Sequence, residues 1–267
     1  MKKIELINKS YVGIVEHISS DSKLEDLEQY IKSNKPMFDK FKGVIVASNY
    51  AYDVHIERTH KLWREYFPNA NFVDLDANRG HTFGTLDLDG AIFDFCKAND
   101  IDWLCKLNDD MLLLAECGWE DGDVPDNADF CYYNGIGFGG MPKYDFDIDR
   151  IVKEDFYPQT TAYFINTTKL PELHSKDEVN EVYDYVHSIE NYNGKVWEYK
   201  EGFTCEDLLK RSVLENGLVK HHLTKPDTYI RLLEFVKANN IHDCSHKQLI
   251  IDGVLHYQHV GQQCIQI

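Results

Sequence analysis

The chain has 267 residues, of which 43% are hydrophobic and 27% charged, and that composition supports the core of one large domain and excludes a disordered chain. Its formal net charge of −17 opposes a free polyanion such as DNA, because nucleic-acid affinity rests largely on Lys and Arg replacing counterions, although an acidic protein can still carry a local basic groove. Any small anionic ligand meets the same repulsion, which a divalent cation bridging carboxylates and phosphates would relieve.

Tyr11 to Ile18 is a short apolar run rich in β-branched residues and predicts a strand. After it, Leu24, Leu27 and Ile31 recur at helical spacing. Val44 to Ala47 predicts a second buried strand, about Val54 to Phe67 a helix that stops at Pro68, and Phe72 to Leu75 a third strand. Leu86 to Ala98 reads as a helix, with Asp87 and Asp89 expected to cap it or line its solvated face. Asp102 to Leu107 is the fourth strand. This alternation predicts an α/β fold, a mostly parallel central sheet covered by helices on both faces. The second half is less regular. Asp129 to Tyr133 and Thr161 to Ile165 look like strands, Glu206 to Glu215 like a helix, and Gly253 to Gly261 like strand and loop. The Gly-rich stretch from Gly135 to Gly140 lacks the strand-and-helix setting of a dinucleotide fingerprint and predicts a loop. Tyr132, Tyr133 and Tyr163 are expected to pack in part into the core.

Seven cysteines stand at 96, 105, 117, 131, 205, 244 and 264, an odd number without a CxxC pair, so reduced thiols and a cytoplasmic setting are expected. No apolar signal core follows Met1, and the longest strongly apolar stretch, Met111 to Ala115, is too short to cross a bilayer. No membrane span is expected; the oligomeric state is left open.

In parallel sheets ligands bind at the carboxyl ends of the strands. Four polar groups fall there: His17 to Ser19, Ser48-Asn49, Asn78-Arg79-Gly80-His81 and Asn108-Asp109-Asp110. Adjacent carboxylates repel each other, so Asp109 and Asp110 suit a hard cation such as Mg²⁺ or Mn²⁺, and a polar turn ending the strand is the plainer reading. Arg79 and Lys106 have the charge to meet a diphosphate. Thr204-Cys205-Glu206-Asp207 fits a helix N-cap as well as it fits a carboxylate placed for proton transfer. His242-Asp243-Cys244-Ser245-His246 falls short of the four closed ligands of a structural zinc site.

Taken together, these motifs resemble those of GT-A glycosyltransferases of the large family 2 type. The resemblance covers roughly the first 115 residues as a nucleotide-sugar-binding half, with 116–267 as the acceptor half of one domain. Asn108-Asp109-Asp110 is similar to that family's metal-binding Asp-x-Asp motif, with Asn in the first place. This implies Asp110 as the main ligand of Mn²⁺ or Mg²⁺ and Asn108 or Asp109 facing the donor. Ser48-Asn49 stands where the second strand contacts the nucleoside, and Asn78-Arg79-Gly80-His81 resembles the family's asparagine-and-glycine stretch. Glu206-Asp207 is similar to its Glu-Asp motif, which implies Asp207 as the base of an inverting transfer. His259, in His259-Val260-Gly261, looks like the C-terminal histidine that reaches the metal, with His256 its nearest competitor. The implied donor is a nucleoside diphosphate sugar carrying uridine. The acceptor, a glycan, protein or lipid-linked group, is left open. The chain is also similar to small phage-encoded transferases that place glucose or arabinose on hydroxymethylated cytosine in DNA. Two other functions stand beside this one. A nucleotidyltransferase would carry a Gly-rich basic loop after the first strand, where His17-Ile18-Ser19-Ser20-Asp21 stands. A GT-A-like module that only binds a sugar nucleotide would tolerate Asn108.

Overall fold

The computed structural model describes residues 1–113, 123–134, 156, 158–223, 248–251, 254–256 and 264–266. A short helix, α1 (Lys3–Lys9), precedes β1 (Tyr11–Ile18). There follow α2 (Asp21–Phe38), β2 (Gly43–Tyr50), α3 (Val54–Tyr66), β3 (Asn71–Leu75), α4 (His81–Ala98) and β4 (Trp103–Asn108). The described part of the second half contributes β5 (Met111–Leu113), β6 (Phe130–Asn134), β7 (Pro158–Asn166), α5 (Lys176–His187), α6 (Cys205–Glu215) and β8 (Lys220–His222). The strands β9 (Gln248–Ile251), β10 (Val254–His256) and β11 (Cys264–Gln266) complete it.

Seven strands form one sheet in the order β3-β2-β1-β4-β7-β6-β8. The pairs β3–β2, β2–β1, β1–β4 and β6–β8 are parallel, while β7 runs antiparallel to both β4 and β6. The sheet therefore joins strands from both sides of position 115. The observed architecture is the expected mixed α/β fold, Rossmann-like, with a mostly parallel sheet between helices.

Each face of the sheet is sealed by its own apolar cluster. Leu24, Leu27, Tyr30 and Ile31 of α2 and Trp63 of α3 pack with Val12, Ile14, Val44 and Val46 on one side. Leu88, Ile92 and Phe93 of α4 and Leu209 and Val213 of α6 pack with Ile45, Ala47 and Leu104 on the other. Gly13 permits the close approach of α4, since a Cβ there would lie 2.7 Å from Leu104 Cδ1 and 2.9 Å from Ile92 Cγ2. Burying these side chains is the main favourable term in folding.

After β1 the chain builds outward through β2 and β3, then returns through α4 and sets β4 on the other flank of β1. The strand order reverses between β1 and β4, and a crevice opens outside their carboxyl ends. A smaller sheet, β11-β9-β10-β5, begins just beyond that point.

Six elements escaped the sequence reading: α1, β5, α5, β8, β9 and β11. The helix α4 also begins at His81, five residues before the apolar periodicity does. Asp89 is a correction: it is 4% exposed and ion-paired with Lys106, so it neither caps α4 nor lines a solvated face. The stretches 135–140 and 242–246, and His259, lie outside the described residues.

Candidate functional site

A cleft of about 380 Å³ lies at the crevice between β1 and β4. Glu16 and His17 of β1, Asn49 of β2, Lys23 of α2 and Asn108-Asp109-Asp110 after β4 form part of its wall. The approach to α4 closes the rest, with Asn78, Gly80, Gly84 and Thr85. Thus each of the four strand-end groups expected from sequence contributes at least one residue to the same edge.

One hydrogen-bonded chain orders the first three elements. His17 Nδ1 donates to Asn49 Oδ1 at 2.5 Å, and Asn78 Nδ2 lies 3.4 Å from His17 Nε2. Asn78 Oδ1 accepts from Gly80 N at 2.9 Å. Gly80 has φ of +88°, a left-handed conformation that glycine adopts without strain, and supplies no side-chain cap to α4. The first turn of this 18-residue helix therefore opens toward the cleft with its N–H groups and the positive end of the dipole. Gly84 keeps that turn close to Asn78, because a Cβ there would sit 2.6 Å from Asn78 Oδ1.

The acids face this from the other side. Burial, and then the neighbouring Asp110, push the Asp109 carboxyl up to about 7. Asp109 N donates to Val15 O at 3.2 Å, which ties the loop after β4 to β1. Burial likewise raises Glu16 to about 8, although Ser48 Oγ donates to its Oε1 at 2.7 Å and Trp63 Nε1 to its Oε2 at 3.3 Å. Ser48 is thus turned into the protein toward Glu16 and does not line the cleft, and Ser19 is not on its wall either. Arg79 is also away from it: its guanidinium is paired with Asp87, donates to Asn180 Oδ1 at 2.8 Å and lies over the Tyr183 ring. There it pins α4 to α5. His81 is the first residue of α4.

Beneath the cleft lies a polar layer around Lys106, which the sequence offered to a diphosphate and which is instead buried, off the cleft wall. Lys106 is fully buried; its Nζ donates to Asn108 Oδ1 at 2.6 Å and to Thr160 O at 2.5 Å. Asp89 Oδ1 stands 3.1 Å from the same Nζ, an ionic contact without hydrogen-bond alignment. Burial raises Asp89 to about 6 against the pull of Lys106. Thr160 Oγ1 donates to Glu206 Oε1 at 2.7 Å. A continuous polar path therefore runs from Asn108 on the cleft wall to the first turn of α6. The visible signal was a lysine inside the apolar run Trp103 to Leu107.

Asp207 occupies the N-cap arrangement that the sequence allowed. Its backbone N–H donates to Thr204 Oγ1 at 3.1 Å, and the Thr204 hydroxyl donates to Asp207 Oδ2 at 2.9 Å. Among the described residues no group of three His, Cys, Asp or Glu side chains forms a ready-made metal cluster. The tail nonetheless returns to this edge. Strand β10 pairs with β5 so that His256 stands opposite Met111, the residue after Asp110.

No protein-family model matches the chain, and no curated protein sequence matches it. Among solved structures, the crystal structure of the nucleoside-diphosphate-sugar pyrophosphorylase from Vibrio cholerae RC9 aligns over 83% of this chain and 99% of its own, with 12% identity and a TM-score of 0.42. A likeness of that size says nothing about what this chain does. Among the described residues no helix is long and apolar enough to cross a membrane.

Proposed function

We propose that the chain is a metal-dependent glycosyltransferase that takes a sugar from a nucleoside diphosphate sugar, with residues 1–115 binding the donor and 116–267 the acceptor. One observation carries this reading: adjacent carboxylates, Asp109 and Asp110, face the uncapped start of α4 across a cleft at the reversal of strand order. Helix N–H groups and Lys23 suit phosphate oxygens, and carboxylates suit a cation shared with those oxygens.

The donor set fits a divalent cation. Asp109 is raised toward neutrality by burial and by Asp110, so positive charge placed between the two would relieve both. Asp110, with Asp109 beside it, would hold Mn²⁺ or Mg²⁺, the open positions falling to phosphate oxygens and water. Such an ion supplies charge neutralisation on a departing diphosphate. His259, the other proposed ligand, follows β10 by three residues.

The protein's own groups then have separate tasks. His17 and Asn49 border the nucleoside, which the family resemblance gives as uridine. The α4 N-terminus and Lys23 receive the diphosphate. Asp207 accepts the proton of the acceptor hydroxyl as its oxygen bonds to the anomeric carbon. The bond from that carbon to the diphosphate breaks, the electron pair leaving with the nucleotide, and the configuration inverts. Glu206, held by Thr160, fixes the start of α6 beside it.

The test is incubation with Mn²⁺ and a panel of nucleotide sugars against glycan, peptide, and plain and hydroxymethylated DNA acceptors. Sugar transfer with release of nucleoside diphosphate is expected. Pyrophosphate release from a nucleoside triphosphate and a sugar phosphate would replace this reading with a nucleotidyltransferase, and binding without turnover would leave a sugar-nucleotide module.

A further inference from the structure

The buried Lys106 ammonium sets which way the Asn108 amide faces. An ammonium has only donors, so the atom 2.6 Å from it must be the amide oxygen. The opposite branch of the same amide, Nδ2, is then turned away from Lys106, and no described residue accepts a hydrogen bond from it. Asn108 lies on the cleft wall. Lys106 cannot swing aside to release the oxygen, since it is fully buried and also held by Thr160 O and Asp89.

We infer that Asn108 presents a hydrogen-bond donor to the cleft and selects a ligand oxygen that accepts, with Lys106 as the positioning residue. The inference rests on the cleft being the donor site. It departs from what an acid at that position would do, because a carboxylate accepts only and would read the proton of a hydroxyl. The oxygen could belong to the diphosphate or to the nucleoside; both are acceptors.

Two measurements test this. In ¹⁵N-labelled protein without ligand, the Asn108 side-chain amide protons, assigned by their loss in Asn108→Asp, should exchange readily with water because they face the cleft. Protection comparable to a core amide would mean that the NH₂ group faces inward, which overturns the assignment. Second, calorimetry with UDP, inorganic pyrophosphate and uridine, with Mn²⁺ and in chelator, compares wild type, Asn108→Ala and Asn108→Asp. Losing one hydrogen bond predicts a Kd about fivefold weaker in Asn108→Ala, and Asn108→Asp should be weaker still, because an acceptor then faces an acceptor. A loss confined to UDP and pyrophosphate identifies a phosphate oxygen, while a loss confined to UDP and uridine identifies a nucleoside oxygen. An Asn108→Asp variant that binds as tightly as wild type, or tighter, in either buffer overturns the inference. If wild type binds none of the three probes, the donor-site reading and the ligand-selecting half of the inference fall together; the exchange measurement still decides the amide's orientation.

Discussion

At the scale of single residues, Glu16 shows how burial can outweigh two hydrogen bonds. Ser48 and Trp63 both donate to its carboxyl, yet desolvation holds the proton on until about pH 8. The unfolded chain gives that proton up near 4.5, so the folded state binds more protons across the window between these values. Stability contributed here is present below pH 4.5 and is lost as pH rises toward 8. Wild type should therefore lose stability relative to Glu16→Gln over this range, with a slope of up to about 1.4 kcal/mol per pH unit. Urea unfolding of both proteins from pH 5 to 8.5 checks it, and parallel stability curves would contradict the burial argument. Asp207 makes a different prediction. Asparagine keeps an oxygen for the Thr204 cap but cannot take a proton, so Asp207→Asn should lower transfer roughly 100-fold or more while UDP binding persists. Normal turnover in that variant would move the base role elsewhere, Glu206 in the same helical turn being next. The sequence located such acids by type and order, but it had no means of showing which were buried. Asp89 looked like an ordinary surface acid because its partner, Lys106, is 17 positions away on another element.

At the scale of elements, the apolar runs of β1, β2 and β4 were legible because each is buried on both faces and so reads as a continuous hydrophobic stretch, while β3, at the sheet edge and only half-buried, showed through Phe72, Val73 and Leu75. Their boundaries moved by a residue or a few. The start of α4 was missed for a physical reason: its first turn holds one large apolar residue, Phe83, next to Gly80 and Gly84, and the partners that bury Phe83 lie about a hundred residues further along the chain. The helices α1 and α5 and strand β8 escaped because short or half-buried elements leave too weak a pattern, and β8 pairs with β6 across 90 residues of sequence. Arg79 was legible as a cation but not as the tie between α4 and α5. The same first turn gives a sharp test. Gly84→Ala adds a Cβ that meets Asn78 Oδ1 at 2.6 Å, a side-chain end that can swing away. Alanine in a helix interior gains up to about 1 kcal/mol over glycine, so folding should be unharmed or improved. Displacing Asn78 breaks its links to Gly80 and His17, and UDP affinity should fall roughly tenfold. Thermal unfolding and calorimetry on one preparation separate the two effects. A variant that binds as wild type does would show that Asn78 is not part of the ligand's setting.

At the scale of the whole molecule, the polar layer under the cleft decides how the halves hold together. The sheet passes from β4 to β7, and Lys106 lies at that seam with Asp89 from the first half and Thr160 and Glu206 from the second. A buried pair of this kind is a weak source of stability as a whole but costly to break, because the survivor keeps its desolvation penalty. Lys106→Met strands Asp89, and a loss of about 3–5 kcal/mol is expected at pH 8. Asp89 already titrates near 6 because it is buried, and removing the nearby cation pushes that value further up. Protonation therefore shelters the variant at low pH, and its deficit should shrink between pH 8 and pH 5. Replacing the second charge as well, in Lys106→Met with Asp89→Leu, should recover most of the loss, since two apolar side chains then fill the layer. Urea unfolding followed by circular dichroism and by tryptophan fluorescence, at both pH values, reads all three proteins. Because the seam lies inside one sheet, both probes should shift together in the single variant. A loss that is independent of pH, or a double variant no more stable than the single one, would mean that Lys106 holds the seam by packing and its hydrogen bonds to Asn108 and Thr160, and that its charge pairing with Asp89 contributes little.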